Sequence, residues 1–292
     1  IKINMKKIVI ASFLALATSM NVQAQELPKP SPSATVIQTV GLTDISVVYS
    51  RPGVKDRHVW GELVPYGEMW RAGANKATLF STSANINIEQ QELPKGDYSL
   101  FIIPEENAQW TVVFNKETEL WGAGEYKEDM DQLRVKVTPV EAKEMTERLE
   151  FHFTDVDMNS AVLSLNWEKI QLNMNISADP TQQAILNIES ALNGSNVDDK
   201  WKVYRSGASY ARDINMTDKG LVWIQKSVEL NGSNWYSYWV YSSLLAQNKE
   251  YKKATEMANK SIAIGKEEAK AKSETFSYES RIQADIDSWK NK

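Results

Sequence analysis

Apolar and polar residues alternate along much of the chain between residues 34 and 176. In the segment Leu149-Glu150-Phe151-His152-Phe153, for example, every second residue is apolar. This alternation predicts strands with one buried face and one solvated face. The predicted strands are residues 34–40, 44–49, 77–83, 86–89, 98–103, 110–114, 133–137, 149–153, 162–167 and 170–176. About ten short strands with no helix between them predict an antiparallel β-sandwich.

The hydrophobic period changes to about 3.6 residues after Asp179-Pro180, which predicts helices. An offset of 34 residues aligns Asn193-Gly194-Ser195-Asn196 with Asn231-Gly232-Ser233-Asn234, Trp201 with Trp235, Tyr204 with Tyr238, and Ser227 with Ser261. This period is that of the tetratricopeptide repeat, although Gly265 stands where that repeat usually has a proline. We therefore predict an α+β protein with two segregated domains. About six helices form a tetratricopeptide-like antiparallel array, closed by a final helix over residues 267–290.

Four sequence motifs of the predicted β domain form a specific combination. They are Tyr49-Ser50-Arg51-Pro52, Trp70-Arg71-Ala72-Gly73-Ala74-Asn75, the segment from Leu93-Pro94-Lys95-Gly96-Asp97 to Phe101, and Trp110-Thr111-Val112. Together they resemble the exported bacterial family catalogued as domain of unknown function 2911, over roughly residues 31–176. The resemblance implies a secreted, β-rich domain, and it implies no particular activity.

The N-terminal region has the pattern of an export signal. Met5-Lys6-Lys7 precedes a short apolar run, and Val22-Gln23-Ala24 has the small residues of a cleavage site. We expect a signal peptide with an upstream extension over residues 1–24, a Pro/Ser leader over 25–33, the β-sandwich over 34–178 and the helical repeats over 179–292. The expected location is the periplasm or the exterior, with no membrane span after signal cleavage.

Composition narrows the classes of function. The chain has no cysteine, which excludes disulfides, thiol catalysis and thiolate metal sites. Residues 25–178 contain 14 basic and 23 acidic residues, whereas residues 179–292 contain 16 and 15. Neither part has the basic excess that binding to nucleic acid phosphates requires, so we expect no nucleic acid partner.

Few residues suggest catalysis or metal binding. His58 and His152 are the only histidines, and neither has a second histidine or a cysteine at ligand spacing, so we expect no metal or cofactor. A serine hydrolase motif is missing as well. The carboxylates of Asp56, Glu62 and Glu68 leave a carboxylate-dependent hydrolase open as an alternative. On balance, the sequence favours a protein that is not an enzyme.

The long connection between the strands at 44–49 and 77–83 is the candidate site. Its aromatic content predicts an ordered loop, and long ordered loops are often functional. The candidate ligand-binding residues are Arg51, Arg57, Trp70, Arg71 and Asn75. Arginine offers a planar fork of donors for carboxylates, phosphates or sugars, and tryptophan offers a stacking face. In the alternative interpretation, these arginines bind carbonyl groups of the loop itself, and Trp70 fills the end of the sandwich.

Three functional hypotheses follow. The first is that the β-sandwich binds a small polar or anionic ligand through this Arg/Trp/Asn loop. The second is an envelope protein interaction module, in which a partner protein binds the helices over residues 199–265 and there is no small ligand. The third is the hydrolase.

Overall fold

The computed structural model describes residues 27–290 and residue 292, so the expected signal peptide lies outside the described residues. The chain divides into two compact units between Ser177 and Ala178, called here the β unit and the helical unit. None of the described helices combines the length and apolarity needed to cross a bilayer.

The described part of the β unit contains ten strands in two antiparallel sheets, as predicted. The strands are β1 (Ser33–Val40), β2 (Thr43–Ser50), β3 (Thr78–Thr82), β4 (Ile86–Ile88), β5 (Gln91–Leu93), β6 (Gly96–Ile103), β7 (Trp110–Asn115), β8 (Asp131–Val137), β9 (Pro139–Thr154) and β10 (Ser160–Ser177). The first sheet has the order β1-β2-β3-β6-β7-β8, and the second has the order β5-β4-β10-β9.

The alternating pattern of the sequence places one face of each sheet in the core. On β2, Ile45, Val47 and Tyr49 are buried, while the residues between them are more exposed. The two sheets meet where the ring of Tyr49 contacts the ring of Phe151 on β9, at 5.0 Å between centroids. The Tyr49 hydroxyl also donates to the Phe151 carbonyl oxygen at 3.3 Å. Burial of such aromatic and aliphatic side chains is the main stabilising contribution to the unit.

The chain reverses direction within β10. Ser164 Oγ donates to Asn173 Oδ1 at 2.7 Å, although nine extended residues would span about 30 Å. The reversal is at Glu168, which has a φ of 54°. The predicted strands 162–167 and 170–176 are the two arms of this span. The short strand β5 was not predicted, because its sequence Gln-Glu-Leu lacks the β-branched and aromatic residues typical of strands, whereas the equally short β4 contains Ile86 and Ile88.

Six α-helices form the described part of the helical unit, together with a 3₁₀ turn at Val197–Asp199. They are α1 (Thr181–Gly194), α2 (Lys200–Asp213), α3 (Thr217–Leu230), α4 (Trp235–Gln247), α5 (Tyr251–Ala271) and α6 (Glu279–Trp289). Small and branched residues such as Ala208, Ile224 and Leu244 meet in the core between α2, α3 and α4.

The prediction of one final helix over residues 267–290 is wrong. Helix α5 continues to Ala271, and α6 starts only at Glu279. In the connection, Phe276 lies against Gly265 so closely that a Cβ on that glycine would be 2.4 Å from the ring. The glycine thus makes room for an aromatic side chain that holds the connection against α5, and this long-range contact has no periodic signal in the sequence.

Candidate functional site

The loop between β2 and β3 is fixed to both sheets by its backbone. The Trp70 N–H donates to the Ile102 carbonyl on β6 at 2.8 Å, and the Ile102 N–H donates back at 2.8 Å. On the other side, Gly53 forms a bridge with Arg148 on β9. Because backbone groups of the loop pair with two sheets, its side chains have defined positions.

Two of the candidate arginines bind groups of the protein itself. Arg51 Nε donates to the Leu149 carbonyl at 2.9 Å, and Arg51 Nη2 donates to Glu150 Oε2 at 3.1 Å. Arg57 donates to the carbonyls of Val54 and Gly53, at 2.9 and 2.7 Å. The N–H groups of Arg51 therefore connect the loop to β9, and those of Arg57 close the first turn of the loop.

Trp70 belongs to a cluster of four tryptophans. Its ring stacks on that of Trp167 at 5.6 Å and meets Trp60 edge-on at 5.5 Å, and Trp60 contacts Trp110 at 4.6 Å. The indole N–H of Trp70 donates to the Gly73 carbonyl at 3.1 Å. This geometry makes Trp70 part of the packing between the loop and the sheets.

Arg71 differs from the other two arginines. Its Nε is buried and has no hydrogen-bond partner among the described residues. Leaving a buried charged donor unpaired costs free energy, so native proteins rarely do so without a reason. Gly122 lies beside its guanidinium, since a Cβ on that glycine would be 3.9 Å from Arg71 Nη1. Arg71 therefore projects toward the loop between β7 and β8, which carries Gly122.

Asn75 lies at a groove of about 310 Å³ on the β unit. Its φ of 60° is a conformation that asparagine tolerates better than most residues. Its side-chain amide donates to Ser50 Oγ at 3.1 Å and to the Ser31 carbonyl at 3.3 Å. The groove is lined by Lys29, Ser33, Val48, Tyr49, Ser50, Asn75, Lys76, Ala77, Leu79 and Trp121. We call it the Trp121 groove.

Trp121 was not predicted as a site residue, although among the described residues of the β unit it is the most exposed large hydrophobic side chain, at 70 %. It follows buried Leu120 and precedes Gly122-Ala123-Gly124. Small residues cannot cover a neighbouring tryptophan. The Gly-Ala-Gly segment after Trp121 was therefore the feature of the sequence that indicated an exposed ring. The loop leaves this ring beside the groove, where it can stack on a ligand.

A hydrogen-bonded network holds the base of the Trp121 loop. Tyr126 donates to Asp131 Oδ2 at 2.5 Å, and Arg134 donates to the same oxygen and to the Tyr126 hydroxyl, both at 2.6 Å. Burial, and next the hydrogen bond to Asp131, raises the pKa of Tyr126 to about 12. The phenol therefore stays neutral and keeps its bonds at physiological pH.

The residues considered for the other predicted chemistries lie on the surface. Four of them are exposed to solvent: Asp56, His58, Glu62 and Glu68. No group of three or more His, Asp or Glu side chains among the described residues is arranged to hold a metal ion. The hydrolase hypothesis therefore gains no supporting geometry.

Comparison with known proteins adds one finding. No curated protein and no solved structure matches the chain. A family model does match, over residues 31–176, which is half of the chain. The matched region contains the loop between β2 and β3, all residues of the Trp121 groove except Lys29, and almost all of the ten strands. The chain therefore belongs to the family described as "Protein of unknown function (DUF2911)".

Proposed function

We propose that the β unit binds a small anionic ligand in the Trp121 groove, which Asn75 lines, and that the ligand extends to Arg71 beside Gly122. The observation that carries the proposal is the buried, unpaired Nε of Arg71, next to the loop that exposes Trp121. An anion bound there would give this donor the partner that the protein lacks.

Each element of the groove has a role in this proposal. Arg71, beside Gly122 in the Trp121 loop, offers its guanidinium to a carboxylate or phosphate, and Lys29 and Lys76 in the groove lining add positive charge. Lys76 is held by an ion pair with Glu119 at 2.8 Å, which limits its contribution. The Trp121 ring supplies an apolar face for a sugar ring or another flat surface. A sugar acid, as part of a glycan fragment, combines these two features.

Calorimetric titration of the mature chain with D-glucuronate, D-glucose and inorganic phosphate tests the proposal. We expect glucuronate to bind, glucose to bind at least tenfold more weakly, and Arg71→Met to weaken glucuronate binding by about tenfold or more. Lys95→Gln is the matched control, because Lys95 is exposed and does not line the groove. Equal binding by wild type and Arg71→Met, or no binding of either anion, would contradict the proposal.

We also propose that the helical unit is a tetratricopeptide-like array that binds a partner protein. The supporting observation is a hydrogen bond that recurs after 34 residues. Ser227 Oγ on α3 donates to the Trp201 carbonyl on α2 at 2.9 Å, and Ser261 Oγ on α5 donates to the Trp235 carbonyl on α4 at 2.8 Å. Two helix pairs thus share the same internal contact, as expected of repeats.

The expected location remains part of the proposal, because the signal pattern precedes the described residues. If the protein is exported as proposed, fractionation of cells will recover the mature chain outside the cytoplasm, starting at Gln25. Recovery of the uncleaved chain in the cytoplasm would contradict this part.

A further inference from the structure

The helical unit carries a row of two arginine and three aromatic side chains across three helices. The Arg205 guanidinium on α2 lies 5.2 Å from the ring centroid of Trp201 and 5.6 Å from that of Tyr236 on α4. The Tyr236 ring meets Trp239 edge-on at 5.9 Å. The guanidinium of Arg281 on α6 lies 5.2 Å from the Trp239 ring. We call these five side chains the arginine–aromatic row.

The two arginines of the row are held in place without a carboxylate partner. The ion pairs found among the described residues involve other cations. By contrast, nearby Arg212 is paired with Asp213 at 2.8 Å. Aromatic rings restrict the guanidinium of Arg205 and Arg281 while their N–H groups remain available. Such preorganised donors lose little conformational entropy when they bind an anion.

The charge of the unit indicates which kind of anion fits. Residues 179–292 carry 16 basic and 15 acidic residues, so the unit lacks the positive field that a nucleic acid or another dense polyanion requires. Two free arginines match a ligand with a few separated charges. Because Tyr236 and Trp239 lie between them in the row, only an extended ligand can reach both.

We infer that the arginine–aromatic row binds an extended acidic peptide segment, whose carboxylates pair with Arg205 and Arg281 and whose backbone crosses the half-buried Tyr236 ring, while Trp239 itself is buried. The inference rests on the proposed protein-binding role of the helical unit and names the chemistry of its partner. Bidentate carboxylate pairing with arginine supplies the specificity, and contact with the partly exposed Trp201 and Tyr236 rings adds apolar area.

Fluorescence anisotropy with labelled peptides tests the inference on the full mature chain. The probe is a short peptide in which glutamate alternates with serine, and its counterpart has glutamine in place of each glutamate. We expect the glutamate peptide to bind at least tenfold more tightly than the glutamine peptide, and less tightly as salt increases. Arg205→Gln and Arg281→Gln should each weaken binding several-fold, and the double variant should weaken it by more than tenfold.

Lys252→Gln on α5 is the control, since it removes the same charge from an exposed position outside the row. If the two peptides bind equally and Arg205→Gln has no effect, the row is not the acidic-peptide site, although the helical unit still binds peptides. If neither peptide binds, the interaction role fails as well. Tighter binding of single-stranded oligothymidylate than of the glutamate peptide would overturn the inference in favour of a polyanion. Even if a variant does not fold, the comparison of the two peptides on the wild-type chain still tests the preference for an acidic peptide.

Discussion

Replacement of Arg51 and of Arg71 by methionine should have different effects on the stability of the β unit. Both residues are in the same loop, and methionine keeps part of the apolar stem in each case. Arg51 donates to a carbonyl of β9 and to Glu150, whereas the Nε of Arg71 is buried without a partner. The first variant removes bonds of the native fold, and the second removes an unpaired buried donor.

The structure sets the size of each effect. Loss of the bond from Arg51 to the Leu149 carbonyl should cost about 1 to 3 kcal/mol, since that carbonyl belongs to a buried residue. The ion pair with Glu150 adds little, about 0 to 1 kcal/mol, because both side chains are about one-third exposed to water. We therefore expect Arg51→Met to lower the free energy of unfolding by about 2 kcal/mol. For Arg71→Met the expected change is between about zero and a gain of 1 kcal/mol.

Urea unfolding of the full mature chain, followed by pulsed hydrogen exchange and mass spectrometry, measures both effects. Peptides from β6 and β7 report on the β unit separately from the helical unit, which avoids treating a two-unit chain as one transition. If the slope of the free energy of unfolding against urea concentration is the same for wild type and variants, the variants differ only in stability. If Arg71→Met is as destabilising as Arg51→Met, then Arg71 is a structural residue, and the case for a ligand in the Trp121 groove is lost.

Three further predictions concern packing, the repeat and pH. Gly265→Ala should lower the stability of the helical unit by about 1 to 3 kcal/mol in urea unfolding because its Cβ overlaps a ring, whereas Gly194→Ala, with open space, should not lower it. Ser227→Ala and Ser261→Ala should each cost about 1 kcal/mol in the same assay, and unequal costs would argue against equivalent repeats. The raised pKa of Tyr126, about 12, means that the neutral phenol stabilises the fold fully below pH 10.0, and this contribution is lost as pH rises toward 12. Titration of phenolate by absorbance should show one fewer tyrosine ionising near pH 12 in Tyr126→Phe than in the wild type. The free energy of unfolding of this variant should also fall less than that of the wild type between pH 10.0 and 12.

The candidate site was only partly predictable. The sequence identified the loop, because its arginines and tryptophans stand out in an acidic region. It did not distinguish Arg71 from Arg51 and Arg57, since all three have the same chemistry in the sequence. The Leu149 carbonyl that accepts from Arg51 is 98 residues away on another strand. Trp121 was not identified, because only the tertiary structure shows that its loop lies beside the groove.

Local pattern determined the elements of this protein, and long-range contact determined the site. Alternation along each strand and the 3.6-residue period along each helix are properties of neighbouring residues, so the sequence alone predicted about ten strands followed by about six helices, although it missed β5 and misplaced the last helix. Whether a donor is paired, whether a tryptophan is covered, and where the last helix begins depend on residues distant in the chain. The overlap of Phe276 with the space above Gly265 is one such contact. Free energies of burial and pairing depend on these tertiary neighbours, and no periodicity in the sequence records them.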